Sequence, residues 1–350
     1  MGKRKAAPDV TVMGGGIFGL ACAWACLKRG ARVRLIETVG IGAGSSGGLV
    51  GALSPHVPEA WNDKKAFQLD SLLMAESWWA EVTAQSGVGS GYARLGRLQP
   101  LADAQAVALA QRRAETAAEL WQGRATWRVI EAGGSDWQPP SASGWLVEDT
   151  LTARMAPRRA GAALLAAIKA KGGEVIIGEG EARGAVIWAT GFAGLAELSA
   201  DLGRAVGGAV KGQSLALAHD ARNCPQIFID GLHIVPHEDG TVAIGSTSER
   251  VWDDPVSTDA QLEALLARAI AACPQLADAP VLTRWAGLRP RAHSRAPMLG
   301  EWPGRPGQYV ANGGFKIGFG MAPKVAEVMA DLLLEGRDGI PEGFRVEASY

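Results

Sequence analysis

At 350 residues the chain is long for one hydrophobic core and short for three, so two domains of ordinary size are expected. Its 35 basic and 36 acidic residues leave a formal net charge of −1, which gives no electrostatic basis for nucleic acid or an anionic membrane as main partner and points to small molecules. The cysteines Cys22, Cys26, Cys224 and Cys273 lack metal-type spacing, so no metal site is expected and the thiols fit a reducing, cytoplasmic compartment.

Lys3, Arg4 and Lys5 precede an apolar run, the pattern of a secretory signal or membrane anchor. Three consecutive glycines in that run weaken any helix spanning it, and Arg29, Arg32 and Arg34 follow at once. Residues 1–8 therefore read as a solvated tail. No later apolar run reaches the roughly 18 residues of a membrane span.

Val10 to Glu37 reads as strand, glycine turn, helix, turn and strand. Gly14, Gly16 and Gly19 have the Gly-x-Gly-x-x-Gly spacing of a dinucleotide site, directly after a β-prone run and before a helical one. In such a site the first glycine makes the tight turn, the second admits the pyrophosphate and the third lets the helix pack closely. Ile17 and Phe18 open the helix, whose free N–H groups favour phosphate. Gly30 ends the helix, and Glu37 closes the next strand where a carboxylate accepts from a ribose 2′-hydroxyl and repels a 2′-phosphate.

Residues 40–56, with Ser45 and Ser46, are too rich in glycine and serine for regular structure beyond a short helix near Leu49, and too apolar for a solvated linker. A loop over the cofactor is expected. Lys64–Gln85 and Leu101–Trp121 have helical periodicity, with the Trp78–Trp79 pair read as packing. Residues 91–101 between them read as a strand pair turning at Gly96. Trp127–Ile130 and Gly144–Glu148 read as strands, and Pro157–Lys171 as a helix opened by proline and closed by glycine.

Glu174–Ile177 reads as a strand, and Ala185–Trp188 as a buried one running into Ala189-Thr190-Gly191, as at the ligand edge of a doubly wound sheet. From Val210 to Thr247 short β-prone runs alternate, with Asp239-Gly240 as a hairpin turn, so an antiparallel sheet in a second domain is expected. Asp259–Cys273 reads as an amphipathic helix and Val281–Ala292 as a strand. Gln308–Asn312, the glycine turn Gly313–Gly318 and a helix over Met321–Glu335 repeat the order strand, turn, helix. The expected fold is mixed α/β, a Rossmann-type domain over 1–55, 151–206 and 305–350, and a mainly antiparallel domain with helices over 56–150 and 207–304.

Several of these segments together resemble the flavin-dependent oxidoreductases of the D-amino acid oxidase type, including glycine oxidase and monomeric sarcosine oxidase. They are the N-terminal glycine motif with Glu37, Ala189-Thr190-Gly191, Val210-Lys-Gly-Gln213, Trp285-Ala-Gly-Leu-Arg-Pro290 with Pro297 and Gly300, and the turn Gly313-Gly-Phe-Lys-Ile-Gly318. Gly51-Ala-Leu-Ser-Pro55 is also similar to the oxidase domain of the bifunctional enzyme that modifies wobble uridine in transfer RNA. The resemblance implies FAD in a Rossmann-type domain, with the antiparallel sheet roofing the isoalloxazine. No cysteine lies near the terminal turn, where sarcosine oxidase attaches its flavin, so non-covalent FAD is expected.

The implied reaction is oxidation of the C–N bond of a small amino acid by hydride transfer to flavin, with oxygen or another acceptor taking the electrons. Arg289 is the expected carboxylate clamp, since a planar guanidinium grips a carboxylate with two parallel bonds; a surface salt bridge is the alternative. Lys316 resembles the lysine of sarcosine oxidase that contacts the substrate carboxylate. The turn from Gly314 and Phe315 through Ile317 and Gly318 offers backbone N–H groups to flavin N1 and O2. His233 stands where relatives often carry tyrosine. It is read as binding substrate, as tuning amine protonation near neutral pH, or as a satisfied structural histidine. The other reading, an oxidase acting on an aminomethyl-uridine of transfer RNA, is disfavoured by the charge balance and the lack of a methyltransferase domain.

Overall fold

The computed structural model describes residues 8–350, so the expected N-terminal tail lies, but for Pro8, outside the described residues. The chain begins with β1 (Val10–Met13), α1 (Ile17–Lys28) and β2 (Val33–Glu37), then a loop that touches down as β3 (Ala52–Leu53). The first excursion holds α2 (Asp63–Ser86), β4 (Arg97–Pro100), α3 (Ala104–Trp121), β5 (Trp127–Glu131) and β6 (Trp145–Asp149). It ends at β7 (Ala153–Arg154), and α4 (Pro157–Ala170), β8 (Glu174–Ile177), β9 (Ala185–Trp188) and α5 (Gly191–Asp201) follow. The second excursion holds β10 (Gly207–Ala218), β11 (Gln226–Ile229), β12 (Leu232–Pro236), β13 (Thr241–Gly245), α6 (Ala260–Ala272) and β14 (Val281–Ala292). The chain closes with β15 (Met298–Glu301), β16 (Gln308–Asn312) and α7 (Gly318–Glu335).

A six-stranded sheet has the order β15-β16-β9-β1-β2-β8, parallel except at β15. Parallel strands need both faces covered, and α1 accordingly has no polar side, with every residue from Ile17 to Leu27 buried. Its core is shared with α2, α4 and α7, and Trp24, Trp79 and Trp121 are fully enclosed there. The Trp78–Trp79 pair packs edge to face at 4.8 Å between centroids, a core contact.

An eight-stranded sheet has the order β14-β10-β13-β12-β11-β4-β6-β5, antiparallel except for β11 beside β4, so strands from both excursions form one sheet. One face of it is closed by α6, whose Leu262, Leu265 and Ala269 pack on Leu215, Ile227, Ile234 and Ile244. The other face looks toward the first sheet. β15 lies in the six-stranded sheet, inside the 207–304 range expected to belong to the second domain.

Three local expectations change, and one helix, α5, has no counterpart in the sequence reading. Residues 91–101 are not a hairpin: only β4 forms, Ala93 makes a single bridge to Arg154, and Gly96 at φ +81° donates to the Thr152 carbonyl as the chain enters β4. The short helix near Leu49 is instead a single 3₁₀ turn, Ser45–Gly47. The segment after Gly191 is helical as α5. The last helix begins at Gly318, one turn before Met321, despite its glycines and Pro323.

Candidate active site

A cavity of about 920 Å³ runs between the two sheets, at the upper end of the size range for small-molecule sites. Its first half is built by the glycine turn after β1. Gly14, at φ +108°, lies so near the Ala189 backbone that a Cβ there would approach the carbonyl to under 3.0 Å. A Cβ on Gly19 would strike the Gly14 carbonyl itself, so this glycine closes the helix onto its own turn. At Gly16 a Cβ would meet only Ser46 Oγ, at 3.3 Å; the space above that residue is open cavity.

Two side chains hold this turn. The Gly15 N–H donates to Glu37 Oε2 at 2.6 Å, and the Ile17 N–H donates to Ser46 Oγ at 2.9 Å, so the glycine-serine loop caps α1 from a distance. Glu37 also accepts from the Val39 N–H at 2.9 Å. Glu37 lines the cavity and its carboxylate fixes the turn, a role that spacing alone does not reveal. Ser45 and Phe18 line the same wall. Ala189, Thr190 and Gly191 follow β9 there, with the Ala189 N–H donating to the Met13 carbonyl at 2.8 Å.

The residues present fit a flavin dinucleotide. The glycine cradle is open where a pyrophosphate would lie, the α1 N-terminus faces it, and the Thr190 hydroxyl is buried along the wall without a protein partner. No cysteine lines the cavity, and among the described residues no cluster of side chains suits a metal.

The second half is roofed by the eight-stranded sheet. Register sets Trp285, Ser214, Gly245, His233 and Phe228 in one continuous cross-strand row on the face opposite α6. Arg289 stands two residues beyond Gly287 on the same face of β14. Its guanidinium lies over Gly212 of β10, where a Cβ would come under 3.0 Å from Nη1, Nη2 and Cζ. Nη1 donates to the Thr247 carbonyl at 3.2 Å, the only hydrogen bond this side chain makes to the described residues. Burial pulls the guanidinium down to about 10, against the opposing pull of nearby Glu249; it remains charged at neutral pH. A buried cation with most of its donors free is not the alternative surface salt bridge.

Lys316 lies in the turn 313–318, where Gly313 and Phe315 both have positive φ and the Phe315 N–H donates to the Pro290 carbonyl at 3.1 Å. Burial lowers its ammonium pKa, and Arg289 and Arg291 lower it further. Gly314 packs against Phe18, so the two glycine turns meet, and Ile317 and Gly318 begin α7 at the cavity wall.

His233 departs from two expectations, titration near neutral pH and a satisfied ring. Burial, with Arg97, Lys316 and Arg289 nearby, pushes its imidazole down to about 3, so it does not titrate near neutral pH. It is not satisfied either: Nδ1 is buried without a partner, and the ring packs against Phe228 at 4.6 Å. Arg97 was invisible to motif reading. It is buried on β4, lines the cavity, and gives Nε to Asp149 at 2.8 Å.

A model of the family described as DAO, FAD dependent oxidoreductase, matches residues 9–332. The chain belongs to this family. FAD is accordingly its cofactor. The chain is similar to the bifunctional protein ThiO/ThiG of Nostoc sp. (strain PCC 7120), 27% identical over 93% of this chain and 53% of the relative. It spans only about half the length of such bifunctional relatives. The glycine oxidase of Geobacillus kaustophilus is 27% identical over 93% of this chain and 92% of its own length. The crystal structure of glycine oxidase from that organism superposes with a TM-score of 0.84 at 22% identity, covering 97% of this chain and 98% of the other, which shows the shared fold.

Proposed function

We propose that the chain oxidises the C–N bond of a small amino acid, of the D-amino acid, glycine or N-methylglycine type, to an imine that water hydrolyses. The observation that carries this reading is Arg289, a buried guanidinium with one protein hydrogen bond, facing the cavity whose other end holds the dinucleotide motif. FAD, bound without a covalent link, supplies the acceptor for the hydride that leaves the substrate Cα.

The protein's part is to hold, orient and keep the amine neutral. Arg289 grips the carboxylate in two-pronged fashion, and Lys316 adds a second positive charge beside it. These cations also oppose protonation of a bound amine by like-charge repulsion, which favours the neutral form that can lose hydride. His233, itself neutral, lines this wall and is suited to contact the substrate. Sheet roof and turn exclude water from the reacting carbon. The N–H groups at the start of α7 would meet negative charge on the cofactor's ring.

The site residues fall to two domains: 1–55, 151–206 and 305–350 with β15 hold FAD, and the remainder binds substrate. The relatives named for amino-acid oxidation favour this reading over a transfer-RNA uridine substrate. Among the described residues no helix is long and apolar enough to cross a membrane, and we place the protein, with its four free thiols, in the cytoplasm. Anaerobic mixing with a panel of amino acids tests the function: bleaching of the flavin is expected, and admitting air with a peroxide assay separates oxygen from another acceptor. No bleaching by any amino acid would overturn the proposal.

A further inference from the structure

Arg97 has no role in gripping a single carboxylate. It is buried on β4, at the far side of the roofing sheet from Arg289. Gln226, its register partner on β11, lies two residues before Phe228, so Arg97 shares the cavity face with the row ending in His233 and Phe228. Its guanidinium carbon stands 5.5 Å from the Phe228 ring centroid. Nε is committed to Asp149, whose other oxygen accepts from the Thr152 N–H, while the two Nη groups make no hydrogen bond to the described residues. A buried guanidinium that leaves its forked end free in a cavity is set to receive an anion.

The lining around it has one sign. Arg97, Arg289 and Lys316 all line the cavity; of its lining carboxylates, Glu37 stands on β2 of the other sheet and Glu197, on α5, is paired with Arg305 at 2.8 Å. Asp149 and Glu249 sit behind the two arginines rather than in the wall. The Arg289 guanidinium lies over β10 and reaches toward β13, and that of Arg97 lies beside β11. Measured across the strands, those positions are two to three spacings apart, roughly 10–15 Å. One carboxylate cannot engage both, whereas a molecule with a carboxylate at each end can. Neutral His233 lies between them.

We infer that the substrate is an amino acid bearing a second carboxylate, with one acid group on Arg289 and the distal one on the Nη groups of Arg97. This rests on the amino-acid reading for the reacting end, while the two-anion site itself does not require turnover.

The test is calorimetric titration of the FAD-loaded enzyme with glutarate and with butyrate at constant ionic strength, two chemically inert acids differing in the second carboxylate. Glutarate should bind about 10- to 100-fold tighter, the scale of one charge-assisted contact. Because Arg97→Gln alone strands a buried carboxylate, the double variant Arg97→Gln with Asp149→Asn is the appropriate one. It should bring glutarate down to butyrate's affinity and leave butyrate unchanged. Arg97→Lys, which retains charge and cannot serve Asp149 and the ligand together, should fall between. Equal affinities in the unmodified protein, or a glutarate preference that survives in the double variant, would overturn the inference. Flavin bleaching distinguishes the two proposals: an Arg97-dependent glutarate preference without bleaching by any amino acid keeps this site and sinks the reaction.

Discussion

Replacing Gly212 by alanine isolates the placement of Arg289 from its chemistry. Gly212 has no left-handed backbone requirement, and alanine is the better strand residue by roughly 0.5–1 kcal/mol, so the fold should tolerate the change. The new Cβ, however, would lie under 3.0 Å from Nη1, Nη2 and Cζ of Arg289, where no side-chain rearrangement of alanine can relieve it. The guanidinium must swing off β10 and lose the Thr247 carbonyl that holds it. One charge-assisted hydrogen bond to a substrate carboxylate is worth about 1.5–3 kcal/mol. The half-saturating concentration for flavin reduction should therefore rise roughly 10- to 150-fold. Stopped-flow reduction without oxygen reads it, with flavin absorbance confirming normal FAD content. Gly208→Ala, on the same strand with open space at its Cβ, serves as control and should behave as the parent. Parental half-saturation in Gly212→Ala would refute the placement of Arg289 over that glycine.

Gly16→Val should abolish flavin retention, since the branched side chain enters the open space above the turn; a yellow protein at full occupancy would show that the cofactor lies elsewhere. Glu37→Ala should weaken FAD by about 1.5–3 kcal/mol, measured by fluorescence titration, because it removes the ribose acceptor and frees the Gly15 N–H; an unchanged dissociation constant would exclude both roles. His233 holds its folded pKa near 3 against 6.5 for a free imidazole, so the unfolded chain binds the extra proton and this residue costs stability as pH falls from 6.5 toward 3. His233→Gln should flatten the fall in Tm over that interval, and a parallel Tm profile would contradict the burial of a neutral imidazole.

The nucleotide half was legible because its determinants are local. Gly14, Gly16, Gly19 and Glu37 fall within one βαβ unit, and buried parallel strands such as β9 announce themselves as apolar runs. What stayed hidden depends on distant partners. Ser46 caps α1 from a loop 29 residues away, and Arg97 meets Asp149 across 52 residues. The role of Gly212 arises only when β14 lies antiparallel beside β10 and an arginine two residues along leans over it. Gly96 misled because alternation at 91–95 suits a strand, yet no neighbour offers more than one bridge there. The shift of His233 comes first from burial and then from Arg97, Lys316 and Arg289, all distant in sequence, so the ordinary pKa of a histidine is no guide to it.

The central claim is that a carboxylate-bearing amine is held by Arg289 against FAD. Arg289→Ala, studied by anaerobic flavin reduction with amino acids and with the decarboxylated amines of the same side chains, tests it most directly. The half-saturating concentration for amino acids should rise at least as far as in Gly212→Ala, about 10- to 150-fold or more, while the amines, which never use the clamp, are unaffected and FAD content stays normal. Equal losses for both classes, or unaltered reduction by amino acids, would contradict the account.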